Sequence, residues 1–129
     1  TPFGNIGLMV CYDLRFPELA LSLRAKGANL LTAPSAFTYT TGEMHWQLLL
    51  QTRAMDSQCS VLGAAQQGWH GEKRQTWGHA AATNSRGQLL NMIHADGAHL
   101  ITVDFDLSEQ QKIRESMPLM QHRKLLQLS

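Results

Sequence analysis

The residues from Ile6 to Val10 form an unbroken apolar run ending at Cys11-Tyr12-Asp13, which predicts a strand buried on both faces and then a loop. Pro17 suits the first turn of a helix, where its missing N–H leaves nothing unpaired. Leu19, Leu21, Leu23 and Ala25, with Glu18 and Arg24, continue a helical composition to a stop at Gly27. Asn29 to Ala33 reads as a second strand, and strand, helix and strand form the unit whose strands lie parallel.

Pro34 to Gly42 has the turn residues of a loop but carries Phe37, Tyr39 and three threonines, so it offers aromatic surface and hydroxyls. Glu43 to Gln58 predicts one long helix, with Trp46, Leu49, Leu50 and Ala54 sharing a face. A third strand follows at Ser60 to Ala65, then a Gly-rich cationic loop from Gln66 to Thr76. A weaker strand from Gly78 to Thr83, a turn at Asn84 to Gly87 and a strand from Gln88 to Met92 suggest a hairpin. His99 to Phe105 reads as strand, Leu107 to Glu115 as a helix with Ser108 as N-cap, and Met117 to Ser129 as a tail. No repeat, heptad series or linker divides the chain, which predicts one α/β domain or part of one. Several strands with about three helices leave one sheet face under-covered.

At 129 residues and 43% hydrophobic, the chain is long enough for a core and short enough for a single domain. Eleven basic against ten acidic side chains leave a formal charge of +1, which argues against a nucleic-acid partner and for a small-molecule one. No apolar run is long enough to span a membrane and no signal-peptide pattern opens the chain, so the expected location is cytoplasmic. Cys11 and Cys59 are too few for a disulfide framework and lack metal-ligand spacing, so both are expected as reduced thiols. Thr1 to Asn5 lead straight into a strand with no initiator methionine, and the expectation is a chain cut from something longer.

Six scattered histidines give no i, i+4 pair beside a carboxylate, and no metal or other cofactor is expected. Gly68, Gly71 and Gly78 lack the Gly-Lys-Ser/Thr ending of a phosphate loop, and Trp46, Trp69 and Trp77 are not spaced as a base-stacking platform. Cys11 is different. It stands where a strand ends and a helix is about to begin, with Asp13, Arg15 and Glu18 just after it, a setting that can favour a nucleophilic thiolate. A buried structural cysteine is the competing reading from position alone.

The run Cys11-Tyr12-Asp13-Leu14-Arg15-Phe16-Pro17-Glu18 resembles the cysteine signature of the nitrilase superfamily of carbon-nitrogen hydrolases, in its Nit branch of amidases. The resemblance continues through Pro34-Ser35-Ala36-Phe37, Thr41-Gly42, His45-Trp46, Arg53-Ala54, Ala64-Ala65-Gln66, Glu72-Lys73-Arg74, Gly78-His79 and Gln121-His122-Arg123. It implies an α-β-β-α sandwich of which residues 1–129 are the carboxy-terminal half, with the amino-terminal half absent. It also implies a Glu, Lys and Cys catalytic set in which the nucleophile falls on Cys11, while the Glu and Lys lie upstream of this chain.

On the same resemblance, the backbone N–H of Tyr12 faces the developing oxyanion, and Arg15, Phe37 and Thr41 bind a carboxylate-bearing amide. Arg15 paired with Asp13 or Glu18, and Phe37 as ordinary core, are the competing readings. The expected reaction is hydrolysis of an amide like deaminated glutathione through a Cys11 thioester in the full-length protein, with the fragment alone inactive. The alternatives are an omega-amidase acting on alpha-ketoglutaramate and a non-catalytic truncated interaction module. The resemblance further implies a homo-oligomer. Lys73 and Arg74 read either as a site for extra substrate carboxylates or as a solvated face. Asn84-Ser85-Arg86-Gly87 departs from the Asp-Pro-Trp-Gly turn of many relatives, although its closing glycine is kept.

Overall fold

The computed structural model describes residues 1–2 and 4–124. The first apolar run becomes strand β1 (Asn5–Leu8), followed by a 3-10 turn (Cys11–Arg15), helix α1 (Pro17–Ala25) and strand β2 (Ala28–Thr32). Helix α2 (Tyr39–Ser57) leads to β3 (Ser60–Gly63) and then to β4 (Gln67–His70) and β5 (Arg74–Trp77). Strands β6 (Ala81–Thr83) and β7 (Leu89–Met92) precede helices α3 (Leu107–Ser116) and α4 (Leu119–His122).

β1, β2 and β3 are parallel; β6 joins β3 antiparallel and β7 joins β6 antiparallel, giving the order β1-β2-β3-β6-β7. Both crossover helices pack on one face of this sheet. A Cβ added to Gly7 would lie 3.1 Å from Leu23 of α1, and one added to Gly63 would lie 2.7 Å from Trp46 of α2. The core fills the space between, with Ala20, Leu31, Trp46, Leu50, Ala54 and Val61 all buried.

On the other face Ile6 and Leu8 are 44% and 72% exposed, so the strand expected to be buried on both faces is covered on one. Side chains alternate along a strand, and here Gly7 takes the helix side. The under-covered sheet face expected from the helix count is present among the described residues.

Five other expectations change. Helix α2 begins at Tyr39 rather than Glu43, because tertiary packing of Gly42 on Trp77 holds a first turn of poor helix formers. The expected Gln66–Thr76 loop is largely the hairpin β4–β5, turning at Gly71 (φ +68°) and joined to the 34–38 loop through a Thr38–Thr76 bridge. His99–Phe105 forms no strand: it has no ladder partner among the described residues, and Leu100 is exposed. The α3 N-cap is Asp106, whose Oδ1 accepts from the backbone N–H of Ser108 at 2.8 Å and Glu109 at 3.2 Å, so Ser108 is the second helical residue. Of the expected tail, residues 119–122 form the single turn α4, and 125–129 lie outside the described residues.

Helix α3 closes the amino ends of the parallel strands. Gln110 is buried and exchanges two hydrogen bonds with Asn29, while Arg114 donates to the carbonyls of Ala28 and Gln58 at 3.0 Å each. The carboxyl ends of those strands remain open. Ligand crevices of parallel sheets lie at this end.

Candidate active site at the carboxyl end of the parallel strands

Cys11 has φ +47°, a left-handed conformation that costs a non-glycine residue about 1–2 kcal/mol. Local bonds hold it there. The Cys11 N–H donates to Pro34 O at 2.9 Å, the Val10 N–H to Asp13 Oδ2 at 2.8 Å, and the Asp13 N–H to Val10 O at 3.0 Å. Fully buried Leu14 anchors the turn in the core, and the Phe16 N–H donates to Asp13 O before Pro17 opens α1. The chain therefore reverses sharply at Cys11 and leaves its thiol partly exposed. The Tyr12 N–H, next along, has no acceptor among the described residues.

Two clefts meet at this thiol. One, about 500 Å³, runs between Val10, Cys11 and the segments Pro34–Ala36 and Ala64–Gln66 that follow β2 and β3. The other, about 260 Å³, is bordered by Cys11, Tyr12, Arg15, Ala36, Phe37, Thr38 and Thr41. All five residues singled out from the sequence border the second cleft. A larger cleft of about 810 Å³ lies at the amino ends of the same strands, and its described lining holds no cysteine, histidine, lysine or arginine.

Arg15 is paired with neither Asp13 nor Glu18; the ion pairs among the described residues are Arg53–Asp56 and Arg86–Glu109. Its guanidinium carbon lies 5.6 Å from the ring centres of both Tyr12 and Phe37, within cation–π range, and Nη2 lies 3.3 Å from His45 Nδ1. Phe37 is buried and meets Trp46 edge to face at 5.3 Å, so it belongs to the core and to the cleft wall together. The Thr41 hydroxyl is hydrogen-bonded to the Thr38 hydroxyl.

Cys59 sits apart from both clefts. It is fully buried, its thiol donates to Ala28 O at 3.2 Å, and burial pushes its pKa up, away from the nucleophilic thiolate. Among the described residues no group of three His, Cys, Asp or Glu side chains is arranged to hold a metal ion.

The sequence reading gave no site role to His45 or Thr38, and read Arg74, with Lys73, as either a site for extra substrate carboxylates or a solvated face. Arg74 donates to Ala36 O at 3.3 Å from the hairpin, beside the wall shared by both clefts. A usable signal existed for His45, since Thr41 and His45 are four apart and so share a helix face. It was hidden by placing the helix start after Thr41.

This architecture is that of the nitrilase superfamily. The structure superimposes on that of the C. elegans NitFhit protein with TM-score 0.89 and 42% identity, covering 99% of this chain and 31% of that one. It matches Saccharomyces cerevisiae Nit3, a member of branch 10 of the nitrilase superfamily, with TM-score 0.83 and 33% identity, covering 92% of this chain and 44% of that one. The carbon-nitrogen hydrolase family model matches residues 1–115, and the chain belongs to that family. It is 44% identical over 126 residues to a deaminated glutathione amidase of Yersinia enterocolitica, covering 98% of this chain and 44% of the relative. The chain thus spans less than half the length of the curated relatives it matches.

Proposed function

We propose that residues 1–129 are the cysteine-bearing, carboxy-terminal half of a carbon-nitrogen hydrolase domain that hydrolyses a small carboxylate-bearing amide such as deaminated glutathione. The single observation that carries this reading is a partly exposed thiol on a strained turn, opening into a cleft that also holds a guanidinium with no acidic partner among the described residues. The Cys11 thiolate attacks the amide carbon, the Tyr12 N–H, which has no acceptor among the described residues, is one donor to the oxyanion, and collapse breaks the C–N bond. The amine leaves with a proton, and water then cleaves the thioester. Arg15 grips the substrate carboxylate through two parallel hydrogen bonds, with Phe37 as wall and Thr41 as a hydroxyl at the side.

Among the described residues lining the two clefts there is no carboxylate and no lysine, so the base for the thiol proton comes from outside this chain and the fragment alone is inactive. We infer a cytoplasmic homo-oligomer. A reducing compartment keeps Cys11 a thiol, and Met44, Leu48 and Met55 form an exposed apolar stripe along α2 on which subunits can meet.

Full-length protein incubated with deaminated glutathione and with alpha-ketoglutaramate decides the matter. The expected result is faster turnover of deaminated glutathione, an acyl adduct on Cys11 by mass spectrometry, and no turnover in folded Cys11→Ala. Preference for alpha-ketoglutaramate moves the assignment to an omega-amidase. Activity retained in Cys11→Ala removes the mechanism, and a folded full-length protein inert toward both amides leaves the interaction module.

A further inference from the structure

We propose that His45 is the positioning residue that aims Arg15 at the substrate carboxylate, an inference that rests on the reading of Arg15 given above. The Arg15 guanidinium is fixed from three sides: the rings of Tyr12 and Phe37, each with its centre 5.6 Å away, and His45 Nδ1 at 3.3 Å from Nη2. Arginine has no lone pair to offer, so Nη2–H donates and Nδ1 accepts. The imidazole is then neutral with its proton on Nε2.

That choice of partner has a chemical consequence. A carboxylate in the place of His45 would take the bidentate edge of the guanidinium and cancel its charge, in competition with the substrate. A neutral ring nitrogen accepts one of the five N–H groups and leaves both the charge and the other donors for an incoming acid. No carboxylate pairs with Arg15 among the described residues.

The backbone explains how the contact is delivered. Thr41 borders the Arg15 cleft and His45 follows one turn later on α2, so one helix face carries both. Trp46, the next residue, is buried and donates through Nε1 to His79 O, which keys the rotation of the helix and with it the direction of His45. His45 is itself half-buried.

Steady-state kinetics of the full-length enzyme test this with two amides of similar size, succinamate, which carries the carboxylate, and butyramide, which does not. In His45→Leu, KM for succinamate rises about tenfold at unchanged kcat, the fold expected for loss of one charge-assisted hydrogen bond, while kcat/KM for butyramide stays put. His45→Asn, whose side-chain oxygen can stand near the Nδ1 position, stays within about twofold of wild type. A succinamate KM unmoved in His45→Leu, an equal rise in His45→Asn, or a parallel fall on butyramide each overturns the proposal. Arg15→Met separates the two levels: if it does not selectively raise the succinamate KM, the carboxylate-binding role of Arg15 falls and His45 with it. If Arg15→Met acts and His45→Leu does not, only the His45 inference falls. Should His45→Leu fail to fold, His45→Ala carries the same comparison.

Discussion

Replacing Gly42 by alanine sets two physical effects of opposite sign against each other. Gly42 lies in the first turn of α2 with no positive φ, so propensity alone predicts that alanine stabilises the helix by about 1 kcal/mol. Packing predicts the reverse. A Cβ there would lie 2.2 Å from Trp77 Cβ and 2.5 Å from Cγ, far inside van der Waals contact. Trp77 Cβ is attached to the backbone of β5 and no rotamer change removes it, so helix and hairpin must separate by roughly 1 Å. Overpacking of this kind costs about 1–3 kcal/mol, and the rigidity of the contact puts it at the upper end. The net expectation for Gly42→Ala is a loss of about 1–2 kcal/mol. Urea unfolding followed by tryptophan fluorescence measures it. The hairpin is tied to the cleft wall through the Trp77 N–H to Phe37 O bond, so KM for a carboxylate-bearing amide should rise as well. Stability equal to or above wild type would show that the helix moves freely on the hairpin and would refute the reasoning.

Arg114→Met should cost about 2–3 kcal/mol, because the carbonyls of Ala28 and Gln58 lose their charged donor in a half-buried setting; denaturant midpoints with an unchanged m-value are the check. Burial pushes the Asp56 carboxyl up to about 6, against the opposing pull of Arg53 and Arg123. A pKa raised above the unfolded value means that this group favours folding below about pH 4 and loses that contribution as pH rises through about 6. The stability difference between wild type and Asp56→Asn should therefore shift by about 1–2 kcal/mol between pH 4.5 and 7, discounted for partial exposure, and a difference flat in pH would contradict it. Within residues 1–129, native protein treated with iodoacetamide should be labelled on Cys11 alone, and on Cys59 as well after denaturation, since Cys59 is sealed in the core; peptide mass spectrometry gives the positions.

Much of the fold was legible because its parallel half is written in short apolar runs punctuated by proline and glycine. Pro17 and Gly27 frame α1 closely, β3 falls within the run that predicted it, and β2 is displaced by one residue from its run. What was not legible depends on contacts between distant segments. The β4–β5 ladder is made by Gln67, Gly68, Trp69 and His70 against Arg74 to Trp77, with no alternating apolar pattern to announce it. Its stability comes in part from Thr76, buried against Thr38 of another loop. His99–Phe105 shows the converse: a strand-like composition forms no strand where no ladder partner is at hand, since β-propensity describes fit to a neighbour rather than a backbone preference.

The site follows the same division. A motif reading could name Cys11 and Arg15, since they sit in one eight-residue run, but it could not say whether Arg15 faces an acid or a cleft. That depends on Asp13, whose carboxylate is spent on the Val10 N–H and so holds the turn instead of the guanidinium. With Asp13 engaged, Arg15 swings between Tyr12 and Phe37 and meets His45 from a helix thirty positions away. One backbone hydrogen bond thus decides between a structural ion pair and a charge left open to a ligand, and it does so through a left-handed Cys11 that no propensity scale anticipates.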